Sequence, residues 1–329
     1  MKKKTIIILA VLAFLAILGI LAILGILNSH VYTTEPVRLY LPEDKSTTYK
    51  GLCDECDFND AFRLMVKVTG MQGKRVHPGS YVIEPGMKNF ALLRKLRNGQ
   101  QDPLRLTIGK FRTPQQLNDF LNQKLMHNDF DITLDSFYLI RPDTYEFYWT
   151  VTPAQFMQRM EKEFNAFWSE GIGPNGELRV DLIEFGHYEY SLKNIIILAS
   201  IVEEETNHNP EKPLIASVYI NRLERGIPLQ ADPTVKYAVG DFTLRRILNK
   251  HLAVESPFNT YLHTGLPPAP ICLPSKASVD AVLNAPETNY LYFCASDKMD
   301  GTHRFAATLA EHNRNAALFH RALNRMGIR

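Results

Sequence analysis

Residues Ile6 to Leu27 form an uncharged run of 22 residues built from Ile, Leu, Ala, Val, Phe and Gly, separated from Lys2, Lys3 and Lys4 by Thr5 alone. At about 1.5 Å per residue, a helix of that length covers the roughly 30 Å hydrocarbon core of a bilayer. A cleaved secretory signal is the competing reading, but its apolar region is usually about 7–15 residues and ends in small residues. Here the run is longer, and Asn28-Ser29-His30-Val31 offers no such site. The expectation is an uncleaved single-pass anchor. Lysines before it and none immediately after it place the N-terminus in the cytoplasm and the remaining 302 residues (329 − 27) outside.

Charge bears on partners. Lys+Arg 37 against Asp+Glu 35 becomes 34 against 35 once the three leading lysines are set aside, a net of −1. Nucleic-acid binding rests on phosphate neutralisation and needs a positive excess, so no nucleic-acid partner is expected. Four cysteines cannot staple a chain of 329 residues, so an apolar core must carry the fold. Cys53-Asp-Glu-Cys56 has CxxC spacing but no second pair, which leaves half a zinc site. It fits either a local disulfide or two unpaired thiols. Cys272 and Cys294 stand in apolar surroundings and read as core residues.

The rest alternates short strands and helices, an α+β pattern. Val37–Leu41 and Leu104–Ile108 read as strands, and Pro78–Ile83 as a turn into another. Phe62, Leu64, Met65 and Val68 have helical spacing. Asn89 reads as the cap of a helix carrying Leu92, Leu93 and Leu96, closed by Gly99. Thr113-Pro-Gln-Gln116 and Thr152-Pro-Ala-Gln155 are capping-box starts. The second opens a helix with Phe156, Met157, Met160, Phe164 and Phe167 on one face. Leu139–Phe147 is broken by Pro142, and Gly171–Gly176 reads as a linker. The expected division is 1–30 as cytoplasmic start and anchor, 31–105 as a small α+β module, 106–175 as a connecting segment and 176–329 as the main domain.

The most informative stretch is Leu192 to Thr206. Seven of the eight residues from Ile195 to Val202 are apolar, so the helix is buried on most faces, and Glu203, Glu204 and Glu205 end it. A helix C-terminus is the negative end of the dipole, and acids are unfavourable there. Desolvation and the dipole together predict raised carboxyl pKa values in this triplet. A carboxylic acid kept protonated near neutral pH is what a glycosidase general acid requires. The alternative is a hydrated helix end, the reading given to Glu204.

Downstream lie Ala216-Ser-Val-Tyr-Ile-Asn-Arg-Leu223, Gly226-Ile-Pro-Leu-Gln-Ala-Asp-Pro-Thr-Val235, Pro257-Phe-Asn-Thr-Tyr261 and Thr264-Gly-Leu-Pro-Pro-Ala-Pro-Ile271. Tyr290-Leu-Tyr-Phe293, Gly301-Thr-His-Arg-Phe305 and Glu311-His-Asn313 follow. With Ala199-Ser-Ile-Val-Glu-Glu-Glu-Thr206, this series resembles the endolytic murein transglycosylase family, also called MltG or YceG-like, over nearly the whole chain. Ala269 and Cys272-Leu-Pro-Ser275 depart from the family's usual loop. The resemblance implies a LysM-like module in residues 31–105, a YceG-like catalytic domain, and an enzyme of the bacterial inner membrane. That enzyme cleaves the MurNAc–GlcNAc bond of nascent peptidoglycan strands without water and leaves 1,6-anhydroMurNAc ends. It assigns the catalytic acid to the first acid of the triplet, Glu203, and the family's second acid to Glu205.

A lytic transglycosylase can work with one carboxylate, donor to the departing sugar and then acceptor from the muramyl 6-hydroxyl, so neither a cofactor nor a metal is expected. Asn221, Gln230, Asp232, Asn259, Tyr261 and His303 are candidates for sugar contact. Penicillin-binding proteins and other peptidoglycan synthases are the implied protein partners. The competing function is a tethered, non-catalytic glycan-binding scaffold of the wall-building machinery.

Overall fold

The computed structural model describes residues 2–31, 33–43, 47–56, 58–170, 191–244 and 246–327. The chain divides into two compact units. The first holds Met1–Leu106, Lys124–His127 and Glu146–Val151, and the second holds Thr107–Gln123, Asn128–Tyr145 and Thr152–Arg329. The Gly171–Gly176 linker and the expected boundary at 175/176 lie outside the described residues.

The first unit opens with α1 (Lys2–Asn28). Its segment Ile7–Asn28 has a mean hydropathy of 3.3 and is long and apolar enough to cross a membrane. Strand β1 (Val37–Leu41) is followed by α2 (Tyr49–Glu55) and α3 (Asp60–Val68). Side chains cap both helices: Thr48 accepts from the amide of Gly51, and Asn59 from that of Phe62. Strand β2 (Gly79–Ile83) returns antiparallel to β1, with Val37 opposite Ile83 and Leu41 opposite Gly79. The turn after β2 closes with the Met87 amide donating to the Glu84 carbonyl at 3.0 Å, and Gly86 supplies its φ of +75°.

Next comes α4 (Asn89–Arg97). Asn89 is its first residue and not its cap, a position held by Lys88. The Asn89 side chain is fully buried and donates to Ser29 Oγ at 2.8 Å and Asn59 Oδ1 at 3.0 Å. A buried amide with partners on two other elements works as an internal clip, a role that local spacing does not reveal. Tyr49, Leu52, Phe62, Met65, Tyr81, Leu92 and Leu96 form this unit's core. Cys53 and Cys56 are free thiols, both pushed up in pKa by burial. Strand β3 (Leu104–Ile108) follows at the expected residues.

Helix α5 (Pro114–Lys124) starts with half of the expected capping box. Thr113 accepts from the Gln116 amide at 3.2 Å, but Gln116 reaches back to the amide of Arg112. A short helix, α6 (Leu134–Phe137), leads to β4 (Asp143–Phe147), which pairs with β3. Helix α7 (Pro153–Trp168) has the full reciprocal box between Thr152 and Gln155. It buries Phe156, Met160, Phe164, Phe167 and Trp168, with Met157 only partly covered.

Helix α8 (Leu192–Glu205) is capped by Ser191 and buried from Ile195 to Val202. Ser200, the polar exception in that run, donates to the Ile197 carbonyl at 2.7 Å and accepts from the Ile271 amide at 3.0 Å. Then come α9 (Lys212–Glu224), α10 (Asp232–Val239), α11 (Asn249–Leu252) and α12 (Lys276–Leu283). α8 packs against α9, α10 and α12. The hairpin β5 (Tyr292–Ala295) with β6 (His303–Ala306) and the closing α13 (Leu309–Arg325) complete the unit. Cys272 is fully buried beside α8, with its thiol 3.5 Å from the Ser200 carbonyl. The α+β class therefore stands. Among the described residues, three small two-stranded sheets are set among helices, and the second core is built around α8.

Candidate active site

Successive residues on an α-helix point about 100° apart, so three consecutive glutamates at its end cannot share a direction. Each meets a different set of partners. Glu203 Oε2 receives Lys212 Nζ at 3.0 Å, Ser275 Oγ at 2.6 Å and Ser278 Oγ at 2.5 Å. Burial alone would raise this carboxyl, but the hydrogen bonds from Ser275, Ser278 and Lys212, with the Lys212 charge, outweigh it and hold the pKa below its ordinary value. The expected rise at Glu203 is therefore corrected: the side chain is a bound carboxylate. Glu204 is corrected too. It is no solvated neighbour, because Lys110 and Arg112 pair with it at 3.1 and 3.0 Å and its side chain is 13% exposed.

Glu205 differs from both. Its Oε1 accepts a hydrogen bond from the Tyr219 hydroxyl on α9, and no cation pairs with it among the described residues. Burial pushes its carboxyl up to about 7, although the Tyr219 hydrogen bond works in the opposite direction. Nearby Asp232 adds to the rise and Lys236 opposes it.

Glu205 lines a cavity of about 290 Å³ together with Tyr219, Arg222, Gln230, Asp232, Tyr261, Tyr292 and His312. That is close to the lower end of the volumes usual for ligand sites. Arg222, 7% exposed, spends its guanidinium on the carbonyls of Pro228 and Leu291 and on Gln230 Oε1. Gln230 sits at φ +52°, in the left-handed region that a non-glycine residue enters only when its surroundings impose it. The Tyr261 hydroxyl donates to Asp232 Oδ1 at 2.7 Å. Burial raises the Tyr261 phenol, with Asp232 adding to the effect, and lowers the His312 imidazole.

Of the residues singled out from sequence, Glu205, Gln230, Asp232 and Tyr261 meet at this cavity. Glu203, Asn221, Asn259 and His303 are not among its lining residues. Asn221 donates to the carbonyls of Thr288 and Tyr290, both at 2.9 Å, and so ties α9 to the strand that follows. Asn259 is fully buried and donates to the Leu252 and Val254 carbonyls, again at 2.9 Å. His303 Nδ1 lies 2.9 Å from Glu211 Oε2. These side chains have found partners within the fold.

Tyr219 and Arg222 were missed, although their i, i+3 spacing within Tyr-Ile-Asn-Arg222 sets them on one face of α9. The available signal was an arginine flanked by Val218, Ile220 and Leu223 on a mostly buried helix. Among the described residues, no three His, Cys, Asp or Glu side chains gather as a metal site.

A polar cavity lined by one desolvated carboxyl, a phenol bonded to it and the carboxyl of Asp232 holds groups suited to acid–base chemistry. The chain belongs to the YceG-like family, whose model matches residues 49–318. It is 30% identical over 276 residues to the endolytic murein transglycosylase of Bacillus subtilis, covering 77% of this chain and 75% of that one. A segment of 131 residues is 33% identical to the endolytic murein transglycosylase of Streptococcus pneumoniae, spanning 39% of this chain and 24% of the relative. The crystal structure of a YceG-like protein from Listeria monocytogenes matches with a TM-score of 0.52 and 27% identity, over 86% of this chain and 99% of that one.

Proposed function

We propose that this chain is a membrane-anchored endolytic transglycosylase of peptidoglycan, with Glu205 as its general acid and then its general base. The observation that carries the assignment is the position of Glu205, which lies in the cavity with its carboxyl pushed up to about 7 while Glu203 is held as a carboxylate elsewhere. With Oε1 engaged by Tyr219, the acidic proton resides on Oε2.

As the bond from MurNAc C1 to the bridging oxygen breaks, that proton passes to the departing GlcNAc oxygen. The 6-hydroxyl of the same MurNAc then bonds to C1 and returns its proton to the Glu205 carboxylate. The products are a free GlcNAc hydroxyl and a 1,6-anhydroMurNAc end, and no water is consumed. The attacking hydroxyl belongs to the substrate, so its effective concentration is high and a second carboxylate nucleophile is unnecessary.

In the same reading, α1 anchors the enzyme in the cytoplasmic membrane with its N-terminus inside. Residues 31–105 act as a LysM-like glycan-binding module, supported by their own core between β1 and α4. Peptidoglycan synthases would supply the nascent strand.

The test is digestion of purified glycan strands by the full-length protein in detergent, with products read by mass spectrometry. Anhydro-muramyl ends from wild type and from Glu203→Gln, and none from Glu205→Gln, are the expected result. Ordinary reducing ends would mean a hydrolase. Ends that survive Glu205→Gln and vanish with a Glu203→Gln protein whose cooperative unfolding is retained would return the acid to Glu203.

A further inference from the structure

Gln230 and Asp232 both line the cavity, and each has one of its two polar atoms already committed. Arg222 Nη2 donates to Gln230 Oε1 at 2.7 Å. A guanidinium has donors and no acceptor, so the amide oxygen must be the atom that faces it. The Gln230 NH2 is thereby left as a donor. On Asp232, the Tyr261 hydroxyl occupies Oδ1 at 2.7 Å and leaves Oδ2 as an acceptor.

The backbone fixes the two residues relative to each other. Gln230 is held at φ +52°, its amide donates to the Thr260 carbonyl at 3.0 Å, and the Ala231 amide donates to Thr260 Oγ1 at 3.1 Å. Asp232 is the first residue of α10. Strain of this kind persists only where neighbouring contacts impose it, and it clusters at functional sites. One remaining donor and one remaining acceptor, on cavity-lining residues two apart on a fixed backbone, complement a secondary amide.

We propose, building on the reading of the cavity as a sugar site, that Gln230 and Asp232 read the 2-acetamido group of the substrate. Gln230 donates to its carbonyl, and Asp232 accepts from its N–H. An N-acetylated strand satisfies both residues. A de-N-acetylated strand presents an ammonium, which has donors alone, and leaves the Gln230 NH2 without an acceptor. The pair selects for the acetylation state of the glycan, and Arg222 and Tyr261 are the positioning residues that orient it.

The probes are the tetramer of N-acetylglucosamine and its fully de-N-acetylated counterpart, titrated into the full-length protein in detergent. Wild type should bind the acetylated tetramer at least about tenfold more tightly, roughly one good hydrogen-bonded match. Gln230→Glu keeps an oxygen toward Arg222 but turns an oxygen outward, and should abolish or invert that preference. Asp232→Asn keeps an oxygen toward Tyr261 but turns an NH2 outward, and should weaken the acetylated tetramer about tenfold while the unfolding temperature holds.

Equal affinity of wild type for both tetramers, no binding of either at millimolar concentration, or equal losses for both in the variants would overturn the proposal. Cleavage to anhydro ends without discrimination would overturn it and leave the enzyme reading standing. Discrimination without cleavage would do the reverse.

Discussion

Lys212 Nζ stands 3.0 Å from Glu203 Oε2, and the lysine side chain is only 4% exposed. Ser275 and Ser278 donate to that same carboxylate oxygen, so one atom at the end of α8 collects the start of α9, the loop before α12 and α12 itself. A buried ion pair stabilises little compared with a well-packed apolar replacement, but removing one partner strands the other charge.

Glu203→Ala should therefore cost roughly 3–5 kcal/mol of stability, since it leaves the Lys212 ammonium buried without its counter-charge. Denaturant unfolding of the variant against wild type measures it. A loss under about 1 kcal/mol would mean that Lys212 finds water or another partner.

The Glu205 carboxyl gives stability a pH dependence of known sign. Below its ordinary value of 4.5, folded and unfolded chains both carry the proton. Between 4.5 and about 7 the unfolded chain releases it and the folded chain retains it, so stability falls as pH rises. The drop attributable to this group is at most roughly 3 kcal/mol and levels off above pH 7. Glu205→Gln should remove that decline, and unfolding of both proteins from pH 4 to pH 8 would reveal it. Parallel curves would show that Glu205 titrates normally.

Tyr219→Phe removes the hydrogen bond that holds the Glu205 pKa down. The acid should become weaker, and the alkaline limb of kcat/KM should move to higher pH. The maximum rate should fall, because the carboxylate left after proton transfer loses its donor. A pH–rate profile with an unmoved limb would count against the contact.

Arg222→Lys keeps the charge but cannot reproduce the fork that reaches Pro228, Leu291 and Gln230 together. Stability should drop by about 2 kcal/mol or more, on the scale of hydrogen bonds made by charged groups. KM for glycan should rise as Gln230 loses its orientation. A variant with wild-type unfolding and KM would refute the clamp.

Much of the local structure was legible from residue pattern. β1 and β3 fall at Val37–Leu41 and Leu104–Ile108, and the Thr152–Gln155 box opens α7 as its spacing requires. The burial of α8 followed from its apolar run. What sequence left hidden was tertiary. Lys110 and Arg112 are more than 90 positions from Glu204, and Ser275 and Ser278 more than 70 from Glu203. No local pattern says which acid of a triplet gains a cation and which gains a cavity. Asn221 and Asn259 had the chemistry to meet a sugar, but the fold uses their amides to tie down backbone carbonyls.

Glu203, Glu204 and Glu205 have the same side chain, yet each lives in a different chemical world because the rod that bears them is locked in rotation. Shortening that rod by a single residue upstream of the triplet would turn its end by about 100° and reassign all three. The anion now clasped by Lys212 would swing elsewhere, and the titrating proton would pass to a neighbour. Helical phase, more than residue type, decides which glutamate meets the cavity, and the wall-to-wall burial of Ile195 to Val202 is what keeps that phase from drifting.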